Sequence, residues 1–198
     1  MPGHVFLEGD RVVLSVVERA DPDLAALGHA RNDPAFRRAL GFDTPWSRDR
    51  VAEFLDSAAN DESSINLLVC LAPDLERGNG PASDEPTAAD PEILGAVNLF
   101  DVDRHTGTLS YWLYDAYQGE GYATEAVSAV VEYAFAELGL HRVEARAFAE
   151  NDRSRALLDR LGFVHEGTER ECDFANGEYR NVERYGLLED EWDGPGWE

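Results

Sequence analysis

The spacing of apolar residues alternates between stretches with strand character and stretches with helical period. The segment 11–17 is rich in β-branched residues and predicts a first strand. Asp21 and Pro22 are typical of a helix start, and Ser47 is a candidate N-cap for a second helix. The apolar positions of that second helix fall at helical spacing: Val51, Phe54, Leu55 and Ala58. The first part of the chain therefore predicts a strand followed by two helices.

Three strands follow, at 65–71, 93–101 and 108–114, and the last two predict a hairpin across residues 103–107. Between the first and second of these strands, residues 72–92 are rich in Pro, Gly, Ser and acidic residues and lack aromatic ones. Such a composition predicts a flexible acidic loop inserted into a hairpin connection.

The C-terminal half alternates between helices and strands. An apolar face with helical period predicts a long helix from about Thr124 to Leu138, ended by Gly139 as a C-terminal cap. The later predicted elements are a strand over 143–149, a helix over 153–160, and a hairpin of strands 163–174 and 179–188 with Asn176-Gly177 as its turn. This order predicts an α/β (α+β) fold with a mixed sheet and helices on its faces.

Length and composition favour a single globular domain over 1–198. Hydrophobic residues make up 43% of the 198 positions, enough for a full core. The chain has no apolar run that could span a bilayer and no signal-peptide pattern, so we expect a cytoplasmic protein without membrane contact. Neither the two cysteines nor the five histidines have metal-ligand spacing, so no metal is expected.

The charge balance is strongly acidic. Asp and Glu number 40 against 17 basic residues, all of them arginine, for a formal net charge of −23. Such a charge disfavours nucleic-acid binding, and the lack of lysine excludes P-loop and pyridoxal-type chemistry. We predict a halophilic source, because at about 1 M salt the Debye length of about 3 Å makes such self-repulsion tolerable.

The turn before the long helix is the most informative chemical motif. Gly119 and Gly121 permit a tight turn without a Cβ that would block a ligand. The first amides of the helix and its dipole favour an anion such as a pyrophosphate. A Rossmann site would need a third glycine and a first parallel strand, whereas this turn follows a hairpin, so dinucleotide binding is disfavoured.

The stretch from Gln118 to Ala126 resembles the Q/R-x-x-G-x-G/A acyl-CoA motif of the general N-acetyltransferase (GNAT) superfamily. Residues 150–155 and 161–163 are similar to the second half of the same motif set. The resemblance covers nearly the whole chain and is closest to the subfamily that acetylates ribosomal-protein N-termini, which shares an N-x-x-S helix start, an L-G-F helix exit and an N-G-x-Y turn. It implies a GNAT fold, with a mostly antiparallel sheet of six to seven strands and about four helices, and acetyl-CoA as the co-substrate.

The resemblance also implies which residues hold acetyl-CoA, with the pyrophosphate on the backbone amides of Gly119, Gly121 and residues 122–124. Position 120, often basic in the family, is Glu120 here. Like charges repel, so we expect weak acetyl-CoA affinity at low salt. The full set of implied cofactor contacts is Leu113, Gln118, Gly119, Glu120, Gly121, Tyr122, Ala123, Thr124 and Asn151.

Acetyl transfer needs a neutral amine, a stabilised oxyanion and a proton for the departing thiolate. By resemblance, the Ser154 hydroxyl protonates the thiolate, and the backbone N–H of Tyr114 polarises the acetyl carbonyl. Asp173 stands where the subfamily carries a Glu general base; because aspartate is shorter, we expect it to act through a bridging water. The residues alone leave structural roles open, Ser154 as part of a helix start and Asp173 as an exposed acid.

The acceptor amine stays open at the level of sequence. A protein N-terminus is the leading hypothesis, because an α-amine with a pKa of about 8 loses its proton more readily than a lysine side chain. The alternatives are a small amine such as a polyamine or aminoglycoside, and a non-catalytic acyl-CoA sensor. The sequence leaves the oligomeric state undecided, with a homodimer as one candidate.

Overall fold

The computed structural model describes residues 3–72, 92–175 and 177–195. The strands are β1 (Val5–Glu8), β2 (Val12–Val16), β3 (Ile65–Leu71), β4 (Ile93–Phe100), β5 (Thr106–Leu113), β6 (Arg142–Phe148), β7 (Val164–Ala175) and β8 (Glu178–Leu188). The helices are α1 (Asp21–Asn32), α2 (Pro34–Ala39), α3 (Arg48–Ala59), α4 (Tyr122–Ala136) and α5 (Asp152–Arg160), with short 3-10 turns at Asp115–Tyr117 and Glu189–Glu191. The strands form one sheet in the order β1-β2-β3-β4-β5-β6-β8-β7.

The mixed α/β class is confirmed, but the fold has more elements than we predicted. The described residues form eight strands and five helices, against an expected six to seven strands and about four helices. The unpredicted elements are β1, which has 4 residues, and α2, which has 6. Both are too short to show a hydrophobic period.

The sheet opens between its two central strands. All neighbouring strands are antiparallel except β5 and β6, whose parallel ladder pairs Thr106 with Arg142 and ends where Leu109 pairs with Ala145. Beyond this point β5 continues to Leu113 and β6 to Phe148 without pairing to each other. The two strands therefore part and leave a gap in the middle of the sheet.

Helices cover both faces of the sheet. The apolar face of α4 places Val127, Val130 and Val131 in the main core, where they are at most 1% exposed and pack with residues of β2 to β6 and of α5. On the other face, α1 and α3 pack together through Leu24 and Leu55. Within the described residues, no helix is both long and apolar enough to cross a membrane.

Helix caps form at the residues where the sequence predicts them. Ser47 Oγ accepts the Arg50 N–H at the start of α3, and Gly139 takes a φ of +65° after α4. Most of the predicted acidic loop 72–92 and Asn176 of the predicted turn lie outside the described residues, although β7 and β8 do pair as the expected hairpin.

Candidate active site

A cavity of about 680 Å³ lies where β5 and β6 part. Tyr111 and Leu113 line it, and both belong to the core on the α4 side of the sheet. Trp112 and Phe148 also line it, although side-chain alternation along each strand places them on the opposite face. A cavity reached from both faces passes through the sheet, so two substrates can approach one point from opposite sides.

The loop before α4 presents free backbone N–H groups at one end of this cavity. Gly121 is the N-cap of α4 with a φ of +87°, and its carbonyl accepts the Glu125 N–H as the first intrahelical bond. Helical geometry leaves the amides of residues 122–124 without intrahelical acceptors. Within the described part of the chain, no N–H of residues 119–124 donates a hydrogen bond. They include the amides of Gly119, Gly121 and residues 122–124, on which the family resemblance implies a pyrophosphate.

Glu125, in the first turn of α4, fixes the position of this loop. Its side chain is 6% exposed and accepts the backbone N–H groups of Arg11 and Val12 at 2.6 Å and 3.1 Å. The Arg11 guanidinium also donates to Glu125 through Nε and to the Glu120 carbonyl through Nη1. We did not predict this contact, because it joins residues more than 100 positions apart and no local pattern indicates it.

Two arginines of α5 reach the same loop. Arg153 Nη1 donates to Gln118 Oε1 at 2.5 Å, and Arg160 Nη1 lies 3.4 Å from Thr124 Oγ1. Both arginines line the cavity, so they bring positive charge to the end where the free amides lie. They offset the negative Glu120 that stands in the loop itself.

Gln118 is bonded inside the loop through both ends of its amide. Its Nε2 donates to the Leu113 carbonyl at 3.0 Å and to Asp115 Oδ1 at 2.9 Å, while its oxygen accepts from Arg153. Its position therefore connects β5 to the loop that carries the free amides.

The backbone of β5 offers a different amide from the one we predicted. Tyr114 N–H donates to the Leu94 carbonyl at 2.9 Å, so it is engaged inside the sheet and is not free to polarise an acetyl carbonyl. N–H directions alternate along an antiparallel ladder, so the Leu113 N–H points away from β4 and into the gap. The Tyr114 N–H that we predicted as the oxyanion donor is therefore occupied, and the N–H directed into the gap is that of its neighbour Leu113.

A pair of hydroxyl groups lies beside the gap. Asn151 Oδ1 caps α5 by accepting the Ser154 N–H at 3.1 Å, and Ser154 Oγ lies 2.7 Å from Tyr111 Oη. Burial raises the pKa of Tyr111 to about 12, while its hydrogen bond with Ser154 opposes that rise. Tyr111 lines the cavity, whereas Ser154 is not among the residues that do.

Asp173 lies outside the cavity lining, on an exposed stretch of β7 directly across from Arg180 of β8. Residues paired across two strands point to the same face, which here is the face of Phe148 and Trp112. Arg180 itself lines the cavity and forms ion pairs with Glu150 and Glu178. Glu150 also lines the cavity, so the carboxylate at this end is Glu150.

The end of the cavity opposite the free amides is mainly apolar. Its walls include Phe36, Leu40, Trp112 and Phe148, and Phe36 packs edge-on against Trp112 with ring centroids 5.1 Å apart. The contribution of Phe36 and Leu40 was not predicted because α2 was missed. The packing of α2 onto the sheet is what closes this end.

These features fit acetyl-CoA. The amides of residues 119–124, together with Arg153 and Arg160, suit its phosphates. The gap between β5 and β6 can take the pantetheine arm, with the Leu113 N–H available to an acetyl oxygen. Across the residues that the structure describes, no cluster of three or more His, Cys, Asp or Glu side chains could hold a metal ion.

Comparison with known proteins identifies the family of the chain. A family model described as an acetyltransferase (GNAT) domain matches residues 11–164. The protein named "Putative ribosomal N-acetyltransferase YdaF" from Bacillus subtilis (strain 168) is 30% identical, over 75% of this chain and 83% of the relative. The ribosomal protein uS5-alanine N-acetyltransferase of Escherichia coli (strain K12) is 33% identical, over 51% of this chain and 54% of the relative.

The fold is also found among solved structures. Spermidine N-acetyltransferase from Vibrio cholerae, in complex with CoA and spermine, superposes with a TM-score of 0.77 at 21% identity and covers 91% of this chain and 97% of its own. The free amides, the parted strands and the match over residues 11–164 lead to one conclusion. The chain belongs to the GNAT acetyltransferase family and is an acetyl-CoA-dependent N-acetyltransferase.

Proposed function

We propose that the chain acetylates the α-amine of a protein N-terminus. The apolar acceptor end of the cavity carries this proposal. Phe36, Leu40, Trp112 and Phe148 suit the side chain of a first residue, and the charged groups beside them, Glu150 and Arg180, already pair with each other. A polyamine carries several ammonium groups and would need several free carboxylates. Among the described residues, the other carboxylate that lines the cavity is Asp115, which accepts Gln118 Nε2 in the loop before α4.

The names of two relatives point in the same direction. The Bacillus subtilis and Escherichia coli proteins are both named for ribosomal acceptors. A third relative, the spermidine acetyltransferase of Vibrio cholerae, is 28% identical over 52% of this chain. A polyamine is therefore the alternative acceptor.

In this proposal the chain acts mainly by positioning. The amides of residues 119–124 hold the pyrophosphate, and the Leu113 N–H bonds the acetyl oxygen as negative charge develops on it. The acceptor amine enters from the face of Trp112. An α-amine has a pKa of about 8, so a modest base suffices, and Asp173 takes its proton through water. The hydroxyl pair of Ser154 and Tyr111 supplies the proton to the departing thiolate.

We further propose that the protein works in a cytoplasm of high ionic strength. Its net charge of −23 is carried on a chain with an ordinary core, and Glu120 stands beside the site of an anionic substrate. High salt screens both repulsions. Circular dichroism during dialysis into low salt tests this idea, which predicts loss of structure; unchanged spectra would contradict it.

The test of the function is release of the CoA thiol in high salt, with peptides of varied first residues and a panel of polyamines and aminoglycosides. We expect kcat/KM for peptides with a free α-amine to be at least about tenfold higher than for the polyamines and aminoglycosides. N-terminally blocked peptides should not be acetylated. A preference for polyamines would identify a small-amine acetyltransferase. If no acceptor releases thiol although calorimetry shows acetyl-CoA binding, the sensor hypothesis holds.

A further inference from the structure

The hydroxyl groups of Tyr111 and Ser154 lie close together between α5 and the gap in the sheet. Tyr111 lies on β5 at the part that has left the parallel ladder, and it is one of the residues that line the cavity. Ser154 lies behind it in the first turn of α5, half-buried and outside the cavity lining. Tyr111 therefore borders the gap, and its hydroxyl contacts that of Ser154.

The hydrogen bonds of Tyr111 suit a proton donor. Its Oη is 2.7 Å from Ser154 Oγ and 3.3 Å from the Ser154 carbonyl. If the serine hydroxyl donates to Oη over the short distance, the phenolic proton is left with the long contact to the carbonyl. A contact of that length is weak, so the proton is easily redirected to a better acceptor.

We propose that Tyr111, and not Ser154, is the group that protonates the departing thiolate, with Ser154 as a positioning residue that resupplies the phenol. This inference rests on the proposed acetyl transfer. Burial raises the pKa of Tyr111 to about 12, so the phenol is protonated at neutral pH, and the hydrogen bond with Ser154 opposes that rise and thereby favours release of the proton.

Protons and electron pairs are conserved in this step. The amine nitrogen forms a bond to the acetyl carbon, the C–S bond breaks, and its electron pair stays on sulfur. Sulfur takes the proton of Tyr111 Oη, and Oη takes the proton of Ser154 Oγ, which regains one from water. The amine loses one proton to water, so the number of protons in solution does not change.

The kinetic test compares Tyr111→Phe with Ser154→Ala at saturating acetyl-CoA. We expect kcat to fall by about 10² or more in Tyr111→Phe, the range for loss of a general acid, with the KM for acetyl-CoA within about twofold. Ser154→Ala should lower kcat by less than about tenfold, because water can reprotonate the phenol. The double variant should be no slower than Tyr111→Phe. Tyr133→Phe, on α4 and stacked on Phe6 outside the cavity, is the matched control.

A binding experiment supplies a readout that does not depend on turnover. A phenol that donates to sulfur should make CoA bind more tightly than desulfo-CoA at about pH 9, where much of the thiol is ionised, by roughly tenfold. Tyr111→Phe should abolish this difference and Ser154→Ala should keep it.

The opposite pattern would overturn the inference. A larger kcat loss in Ser154→Ala than in Tyr111→Phe would make the serine the terminal donor. Equal affinities of the wild-type protein for CoA and desulfo-CoA would show that no donor reaches the sulfur. A wild-type protein that binds CoA with the expected preference but acetylates no amine would refute the proposed function while leaving the Tyr111 contact in place.

Discussion

Arg11 donates its backbone N–H to Glu125 at 2.6 Å and its Nε to the same carboxylate at 3.1 Å, which ties β2 to the first turn of α4. The carboxylate is almost fully buried, and Glu125 directly follows residues 119–124, whose amides are free to bind a pyrophosphate. The helix start is therefore held from the side of the sheet.

Glu125→Ala should lower stability and weaken acetyl-CoA binding together. The variant leaves the backbone N–H groups of Arg11 and Val12 without their acceptor, and such orphaned donors cost about 1–3 kcal/mol each. We expect the free energy of unfolding in denaturant to fall by about 3 kcal/mol and the KM for acetyl-CoA to rise. Glu137→Gln, exposed at the other end of α4, should change stability by less than about 0.5 kcal/mol. An unaltered KM in a folded Glu125→Ala protein would show that this contact does not position the loop.

Gly121→Ala and Gly139→Ala are a matched pair of variants that separates the effect of backbone strain on stability from an effect on acetyl-CoA binding. Both glycines have positive φ, +87° and +65°, so alanine at either costs about 1–2 kcal/mol. A Cβ at Gly121 also comes within 3.0 Å of Arg11 Nη2, whereas none of the described atoms lies within 4 Å of a Cβ at Gly139. We expect both variants to lose stability, but acetyl-CoA affinity by calorimetry to fall only in Gly121→Ala. Similar affinities in the two variants would count against a cofactor role for the loop.

Arg160→Gln should raise the KM for acetyl-CoA by roughly threefold to tenfold at low salt, because it removes a positive charge beside the phosphates. The increase should be smaller at about 1 M salt, where salt already screens that charge in the wild-type protein. Arg19→Gln, an exposed arginine paired with Asp56, is the control and should leave the KM unchanged. A KM that responds equally to both variants would indicate a general effect of net charge.

Alkaline pH should destabilise the protein through its buried tyrosines. Burial raises the pKa of Tyr114 to about 12, and its hydroxyl donates to the Ala26 carbonyl at 3.0 Å. In the unfolded chain a tyrosine ionises near pH 10, so the unfolded state releases the proton first as pH rises from about 10 towards 12. The stability contribution is therefore complete below about pH 10 and is lost above it. Tyr114→Phe should flatten the fall in unfolding free energy over that range; a slope equal to that of the wild type would contradict this.

Local sequence patterns predicted the long helices and strands, the helix caps and the turns. The apolar face of α4, the cap Ser47, and the hairpin of β7 and β8 follow from residues close together in the chain, where propensity and hydrogen bonding decide the outcome. The free amides at 119–124 were also predictable, because glycine geometry and helix termini are local properties.

The features that could not be predicted from the sequence are contacts between residues far apart in the chain. The occupation of the Tyr114 N–H follows from the register of β5 against β4, and a one-residue change in register would have freed it. The Arg11–Glu125 contact and the closure of the acceptor end by α2 likewise need tertiary packing. The pairing of Ser154 with Tyr111 joins a helix start to a strand 43 positions earlier.

The most direct measurement is an amide NMR titration of the protein with CoA in high salt. We expect the ¹H–¹⁵N signals of Gly119, Gly121 and residues 122–124 to move downfield as the pyrophosphate accepts their hydrogen bonds, together with the signal of Leu113 when acetyl-CoA is used. Signals at these positions that stay in place while CoA binds elsewhere would show that the loop before α4 is not the pyrophosphate site.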